Sequence, residues 1–353
     1  MPDKQPAYDI ARLRDQFGVT RQGLKYFNHA GMSPVPDPVK AAMINATELI
    51  ASQGGLAYGQ LLEPLMARLP QRVASLVNAQ PHEVTFVQNT SLGINLIAQS
   101  LPLADGDSVI LCDVEFPSNV YPWLNLGSKG VRTRIVPAVD GGLSVEAIDA
   151  ARDASIRVVA VSAVQFFTGR REDLDRIGQY CTEHGLWLVV DAIQAAGLVP
   201  LDMPAMGIHA LAAGGQKALC AAPGQGFMVI RDDLLNVMQP VCVGPLSVNN
   251  WEHWLDYDLS LQPGAARFNM GTVDIVGLAA LDAALELLLS LGIGNIADWV
   301  AYLSTRAIAQ LAERGFEVIT PAEPERHANI VTFRWEGDAA AAVAALQERG
   351  AIL

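Results

Sequence analysis

Lys217 differs from the other lysines of this chain in its surroundings. Only five of the 353 residues are lysines, and from residue 130 onward Lys217 is the only one. It follows Ala-Ala-Gly-Gly-Gln and precedes Ala-Leu-Cys-Ala-Ala. Among such small and apolar neighbours the ammonium form is disfavoured, which leaves a neutral amine able to form a Schiff base.

An aspartate lies upstream of this lysine, at the end of an apolar run. Residues 186–190 predict a buried parallel strand, and Asp191 follows directly. Such a strand delivers its last side chain to the carboxyl edge of the sheet, where open α/β sheets bind ligands. Pyridoxal 5′-phosphate (PLP) acts as an electron sink when a carboxylate holds its pyridine nitrogen protonated, so Asp191 and Lys217 together fit PLP chemistry. By spacing alone, a loop-capping Asp and a snorkelling Lys are the commoner interpretation.

Three segments around the pair resemble a known family. They read VVDAIQAAG (189–197), AAGGQKAL (212–219) and PGQGFMVI (223–230). They are similar to the core of the class V aminotransferases, fold-type I PLP enzymes that include cysteine desulfurases, kynureninase and isopenicillin N epimerase-like proteins. The resemblance implies the PLP-dependent transferase fold, an α/β fold with a mostly parallel sheet sandwiched by helices and a small α+β C-terminal domain.

The resemblance also assigns roles to individual residues. Lys217 is expected to form the aldimine with PLP and then to move the Cα proton, and Asp191 to hold the pyridine nitrogen. Phe116 is expected to stack on the ring where relatives commonly carry a His; it cannot act as an acid or base. Gln165, the only amide in its loop, and Gln194 are expected near the phenolic oxygen.

A second segment has the pattern of a phosphate site. Residues 84–87 predict a strand, 89–91 a polar turn and 92–101 a helix, and the first amides of a helix and two hydroxyls can hold a phosphate together. The hydroxyls are those of Thr90 and Ser91, which are also ordinary N-cap residues. The resemblance adds Gln216 as a phosphate ligand where many relatives carry His, a pattern typical of the epimerase-like subgroup. It further implies that Thr272 reaches the phosphate of a neighbouring subunit; Gly271-Thr272 also fits a cap for a helix near Val273.

On the substrate side the resemblance points to Asn28, His29, Ala30 and Gly31, although His29 fits a turn cap equally well. The predicted domains are an N-terminal segment over 1–30, which contributes to the small domain and the substrate side, a large PLP-binding domain over 31–270, and a small domain over 271–353. The small domain is predicted to hold two long helices (273–291 and 293–314), strands near 316–319 and 330–333, and a helix over 339–348. It is expected to be cut short, with the substrate-carboxylate arginine and any desulfurase cysteine beyond residue 353.

Composition excludes several classes of function. The net charge of −13 argues against binding a nucleic-acid backbone. The mean hydropathy of +0.24 is spread along the chain, and the N-terminus has no apolar signal region, which favours a cytoplasmic protein with no membrane partner. The cysteines lie apart without metal-ligand spacing, so reduced thiols and no metal site are expected. They are Cys112, Cys181, Cys220 and Cys242.

The resulting hypothesis is a homodimeric PLP-dependent enzyme acting on an α-amino acid, most typical of an epimerase-like class V aminotransferase with a 2-oxo acid as possible second substrate. The alternatives are a C–S or C–Se lyase of the cysteine desulfurase or selenocysteine lyase type, and a PLP-fold protein that binds a ligand without catalysis. A nicotinamide-dependent oxidoreductase would need a GxGxxG turn, which the sequence lacks. The sequence leaves substrate identity open, as well as the choice between transamination, racemisation and elimination.

Overall fold

The computed structural model describes residues 5–353 as alternating strands and helices. The strands are β1 (Lys25–Tyr26), β2 (Val84–Val87), β3 (Ser108–Cys112), β4 (Arg132–Val136), β5 (Ile156–Ser162), β6 (Trp187–Asp191), β7 (Ala210–Gly214), β8 (Gly226–Ile230) and β9 (Ala351–Ile352). The α-helices are α1 (Ile10–Asp15), α2 (Gly18–Arg21), α3 (Asp37–Gln53), α4 (Gly55–Val77), α5 (Thr90–Ser100), α6 (Tyr121–Asn125), α7 (Val145–Ala151), α8 (Leu174–Glu183), α9 (Asp232–Leu235), α10 (Ile275–Leu291), α11 (Ile293–Glu313) and α12 (Ala339–Glu348).

Seven strands form the central sheet, in the order β2-β8-β7-β6-β5-β3-β4. The pairs from β7 through β6, β5 and β3 to β4 are parallel, whereas β8 runs antiparallel to both β7 and β2. This confirms the predicted mostly parallel α/β sheet. Because parallel strands end at one edge, the loops after β3, β5, β6 and β7 meet there.

Helices cover both faces of the sheet. Because successive side chains of a strand point to opposite faces, the strands contribute to two separate apolar clusters, one on each face. Along β5, Val159 and Val161 belong to one buried apolar cluster, while Val158 and Ala160 belong to the other. The first cluster takes residues from α3, α4, α7, α8 and α10, and the second from α5, α6 and α9. Burial on both faces explains why β5 and β6 read as continuous apolar runs.

The C-terminal part differs from the prediction in its strands and in the start of α10. The strands expected near 316–319 and 330–333 are absent from the described chain, where a single antiparallel bridge joins Val318 to Phe333. Flanking bonds from Ile319 N to Thr332 O (2.8 Å) and from Arg334 N to Glu317 O (2.8 Å) hold the two segments together. The pairing is too short to make a ladder. α12 occupies the predicted residues 339–348, and α10 begins at Ile275, two residues later than expected.

The two ends of the described chain lie side by side. β1 and β9 form a parallel two-stranded sheet, with Lys25 opposite Ala351 and Tyr26 opposite Ile352. Residues 28–33, which follow β1, therefore lead from the C-terminal part of the fold to the central sheet.

None of the described helices is long and apolar enough to cross a membrane by itself; only α10 and α11 taken together, across a bend of 78°, pass a test of length and hydropathy.

Candidate functional site

Lys217 and Asp191 lie close together at the carboxyl edge of the sheet. Asp191 is the last residue of β6 and pairs in register with Ala212 of the neighbouring β7. β7 ends at Gly214, and the chain turns directly into Lys217. Asp191 is 2% exposed and its Oδ1 accepts a hydrogen bond from Ile193 N at 3.0 Å. The fold thus supplies a buried carboxylate and a half-buried amine from adjacent strands.

Burial controls the charge of both groups. It raises the pKa of Asp191 to about 7, and the negative charge of Glu115 adds to the rise. Burial lowers the pKa of Lys217, an effect that the nearby Asp191 opposes. Each group is thereby moved toward its neutral form, as expected where a low-dielectric site penalises charge. A neutral lysine amine is the form that reacts with a carbonyl.

An aromatic ring faces the lysine. Phe116 lies in the loop after β3, is 37% exposed, and has its ring centroid 5.2 Å from Lys217 Nζ. Phe166, from the loop after β5, packs edge-on against it with a centroid distance of 5.0 Å. Phe116 therefore presents an apolar surface beside the reactive amine.

Thr90 and Ser91 lie in the first turn of α5 and not in a turn before it. The helix begins at Thr90, two residues earlier than predicted, and Asn89 is the N-cap, accepting from Leu92 N at 2.9 Å. The reading of Thr90 or Ser91 as the cap is therefore wrong. Ser91 Oγ lies 2.6 Å from Ser118 Oγ, so the hydroxyls gather at the helix N-terminus, which favours anions.

Gln216 and Thr90 approach one another over Gly214. A Cβ atom at Gly214 would lie 2.6 Å from Gln216 Oε1 and 3.3 Å from Thr90 Oγ1. A side chain at this position would enter the space between these two polar groups and would displace the Gln216 amide.

Four residues of this edge carry buried polar atoms without a hydrogen-bond partner among the described residues. An unsatisfied buried polar atom costs about 1–3 kcal/mol, so a polar ligand is expected to satisfy these. The atoms are Thr90 Oγ1, Gln165 Oε1, Gln194 Oε1 and Gln216 Oε1.

These observations fit PLP. Within the described residues Asp191 has no ion pair, so a protonated pyridine nitrogen would give its buried carboxylate a partner. The N-terminus of α5 with Thr90, Ser91 and Gln216 suits a phosphate. Turning the Gln216 amide over, an exchange of its O and N positions, would present a donor there.

Gln165 is oriented away from its expected role. Its Nε2 donates to Glu115 Oε1 at 2.8 Å and to Glu172 Oε1 at 3.1 Å. Both hydrogens of the amide are thereby used, and only its oxygen is free. Since a phenolic oxygen needs a donor, contact between Gln165 and that oxygen stays a prediction.

The N-terminal segment is held against the site. Gln194 Nε2 donates to Ala30 O at 3.0 Å, and Ser33 N donates to Gln216 O at 2.8 Å. The turn is capped by Asn28, whose Oδ1 accepts from Gly31 N at 3.1 Å, so the alternative of His29 as the cap is wrong.

His29 instead lies with Nδ1 2.9 Å from Ser33 Oγ, and burial lowers its pKa. A substrate role for Asn28, His29, Ala30 and Gly31 stays a prediction.

Thr272 lies outside this group. It is exposed, and Asp274 caps α10 by accepting from Gly277 N at 2.9 Å, so Gly271-Thr272 does not cap the helix. No hydrogen bond joins Thr272 to the other candidate residues within the described chain. A role for it requires a neighbouring subunit.

Sequence reasoning missed two buried acids of the site, Glu115 and Glu172. Glu115 accepts from Ser162 N at 2.8 Å, from Ser162 Oγ at 2.5 Å and from Asn119 Nδ2 at 3.0 Å. The carboxylates belong to loops separated in sequence, and acidic residues are ordinarily exposed, so composition gave no signal for their burial.

The comparisons with known proteins agree with this geometry. Residues 25–353 match the family model described as aminotransferase class-V. A probable cysteine desulfurase of Methanothermobacter thermautotrophicus is 31% identical over 292 residues, which cover 82% of this chain and 70% of that protein. An uncharacterized aminotransferase of Bacillus subtilis is 28% identical over 245 residues, covering 69% of this chain and 64% of that protein.

Among solved structures, a mutant of C-DES with glycine covalently linked to its PLP cofactor superposes with a TM-score of 0.88 at 23% identity. The match covers 96% of this chain and 91% of that chain. At this sequence identity, the match shows a shared fold.

Proposed function

The chain belongs to the aminotransferase class-V family, and from that premise we propose that it is a C–S lyase of the cysteine desulfurase type, acting on a sulfur-containing α-amino acid. Its cofactor is PLP, as in the family as a whole. The observation that carries the substrate class is the 31% identity, over 82% of the chain, to a probable cysteine desulfurase. The comparisons thus support the lyase alternative better than the aminotransferase expectation.

Different residues of the chain have different roles in such a site. When bound, PLP draws electrons from the bonds at the substrate's Cα and makes the Cα proton acidic. Asp191 holds a proton at the pyridine nitrogen, and its burial strengthens that contact. Thr90, Ser91 and Gln216 hold the phosphate. Lys217, with its lowered pKa, has the neutral amine needed to accept the Cα proton.

The ionisation of the cysteines indicates whether one of them can accept the sulfur that leaves the substrate. Burial raises the pKa of Cys112 and Cys220, and that of Cys181 to about 12. A thiol must ionise to attack sulfur, so these three are poor acceptors. Cys242 is exposed. We therefore expect sulfur to leave to solvent or to an added thiol rather than to a buried cysteine of the described chain.

Product analysis tests the proposed reaction. Purified protein with PLP is incubated with L-cysteine, L-cystine or L-selenocysteine, and separately with L-alanine plus 2-oxoglutarate. Elimination from L-cysteine consumes water and gives sulfide, pyruvate and ammonia; transfer of sulfur to an added thiol gives alanine and a persulfide. Either product set supports the proposed class.

Amino-group transfer to 2-oxoglutarate, without release of sulfur from any of the three sulfur or selenium substrates, would overturn the proposal. It would establish the aminotransferase alternative, which the Bacillus subtilis relative favours. A protein that binds PLP and transforms none of the compounds would instead support the non-catalytic alternative, against which the intact Lys217 and Asp191 argue.

A second copy of the chain is proposed to complete the site. The loop between α9 and α10 exposes large apolar side chains, a pattern typical of interaction surfaces. Trp254, Leu255, Tyr257 and Leu259 are 81%, 88%, 89% and 70% exposed. Burial of this loop in a dimer would bring the exposed Thr272 near a neighbouring phosphate site.

Sedimentation velocity checks the dimer. We expect the wild type to sediment as a dimer and the double variant Leu255→Glu, Tyr257→Glu as an inactive monomer, because two charges at the interface would be desolvated. Leu346→Glu, on α12, is the matched control and should leave the mass unchanged. A monomeric, active wild type would refute this proposal.

A further inference from the structure

The backbone around Lys217 forms a closed turn over residues 215–221, which we call the lysine turn. Ala221 N donates to Gly215 O at 2.8 Å and so joins the two ends of the turn. Inside it, Cys220 N donates to Lys217 O at 3.0 Å. The direction in which the lysine side chain leaves the backbone therefore depends on the conformation of this turn.

One residue of the lysine turn has an unfavourable backbone conformation. Cys220 has a φ of +54°, in the left-handed region. Only two other non-glycine residues of the described chain have a positive φ, and they are Asn78 and Asp140, residue types that adopt this region more readily. A strained conformation of this kind persists only where the surrounding structure holds it. Contacts from outside the turn are therefore expected to keep Cys220 in place.

Ser33, at the end of the segment that follows β1, makes contacts of this kind. It is 5% exposed, and its N–H donates to Gln216 O at 2.8 Å, directly before Lys217. Its hydroxyl forms a hydrogen bond with Cys220; burial raises the pKa of that thiol, and the bond to Ser33 opposes the rise. Ser33 thus contacts the lysine turn on both sides of the lysine.

His29 fixes the hydroxyl of Ser33 from the opposite direction. Its Nδ1 lies 2.9 Å from Ser33 Oγ, and its ring packs edge-on against Tyr26 of β1 with a centroid distance of 5.3 Å. Because a hydroxyl both donates and accepts, Ser33 can bond to the imidazole and to the thiol of Cys220 at once. The position of the hydroxyl is therefore set by the N-terminal segment and not by the lysine turn itself.

We propose that Ser33 is a positioning residue for Lys217: it holds Cys220 in its left-handed conformation and thereby directs the lysine amine toward the carboxyl edge of the sheet. Ser33 acts through the turn and not on the substrate. The proposal rests on the attachment of PLP to Lys217 and not on the type of reaction, so it holds for a lyase and an aminotransferase alike.

Hydrogen exchange of the cofactor-free protein tests this. Ser33→Ala removes the hydroxyl but keeps the bond from its N–H to Gln216 O. Cys220 is then free to leave the left-handed region, which breaks the bond from Ala221 N to Gly215 O. We expect the amides of the lysine turn to exchange at least about threefold faster, as for the loss of one hydrogen bond. Mass spectrometry of peptides that span the turn measures the rates.

Ser108→Ala is the matched control. Ser108 is also a buried serine, 0% exposed, with its Oγ 2.9 Å from Ser155 Oγ. It is the first residue of β3 and so lies at the opposite edge of the sheet from Lys217. Its loss should leave exchange in the lysine turn unchanged. An equal increase in both variants would show a general loosening of the fold and would contradict the proposal.

Cys220→Ala removes the other partner of the same bond and keeps the Cβ atom, and with it the backbone strain. It should match Ser33→Ala, and the double variant should exchange no faster, because two changes to one contact are not additive. A double variant whose effect is the product of the two single effects would overturn the proposal. Wild-type exchange in Cys220→Ala would do the same, even if Ser33→Ala failed to fold.

The rate of PLP attachment gives a second readout. After PLP is added to the cofactor-free proteins, the visible band should grow at least about threefold more slowly in Ser33→Ala and Cys220→Ala than in the wild type or Ser108→Ala, because the amine is less often in position to react. Faster exchange of the turn with an unchanged rate of attachment would overturn the proposal. A wild type that develops no band would instead refute PLP attachment itself, whatever the exchange rates show.

Discussion

Replacing Lys217 with alanine is expected to lower turnover by at least about 10³-fold, because the variant loses both the amine that binds the cofactor covalently and the base that accepts the Cα proton. The loss should appear in kcat and kcat/KM together. The visible band that arises from the Schiff base of Lys217 with PLP should also be lost. No residue close to Lys217 in sequence offers a second amine, since the nearest lysine along the chain is Lys129.

Lys129→Ala is the matched control. Its Nζ lies on the surface, 3.4 Å from Gln99 O, and its removal should leave turnover and spectrum unchanged. Residual turnover of Lys217→Ala within tenfold of the wild type would show that the reaction does not depend on this amine.

Replacing Asp191 with asparagine is expected to lower activity while it raises the stability of the cofactor-free protein at high pH. Asparagine keeps the shape and the bond from Ile193 N but carries no charge, so it cannot hold the pyridine nitrogen protonated. We expect kcat to fall by about 10²–10³-fold, a size typical of lost charge stabilisation in a buried site. Steady-state kinetics with saturating PLP measure this effect.

The same substitution should stabilise the cofactor-free protein at high pH. The folded pKa of Asp191, about 7, lies above the ordinary value of 3.8, so its contribution to stability is present at low pH and is lost as pH rises through 7. At about pH 8, Asp191→Asn avoids this penalty, on the order of 4 kcal/mol. A variant that is less stable than the wild type at that pH, or fully active, would contradict the assigned role. Asp113→Asn, at an exposed position two residues before Glu115, serves as the control.

The sequence predicted the central sheet and the pair of Asp191 and Lys217 because both leave strong local signals. The apolar run of β6 ends at Asp191, and Lys217 is the one lysine in the second half of the chain. β7 left no such signal: its residues are alanine, leucine and glycine, and it is a strand because β6 and β8 bury it from both sides.

The other differences also have physical causes. α5 starts at Thr90 because the Asn89 side chain satisfies Leu92 N and lets the helix begin early. The contact between Gln165 and Glu115 joins two loops 50 residues apart in sequence, which no local pattern reports. The amide of Gln165 was expected to face the cofactor; two buried acids instead take its donors.

Mapping the point of cofactor attachment tests the central claim most directly. The protein is incubated with PLP, reduced with borohydride, digested and analysed by peptide mass spectrometry. We predict one pyridoxyl group, on the peptide containing Lys217, and none on this peptide after prior addition of a substrate amine that displaces it. Attachment spread over Lys25, Lys40 and Lys129, or absent altogether, would contradict the account of this protein as a PLP-dependent enzyme that works through Lys217.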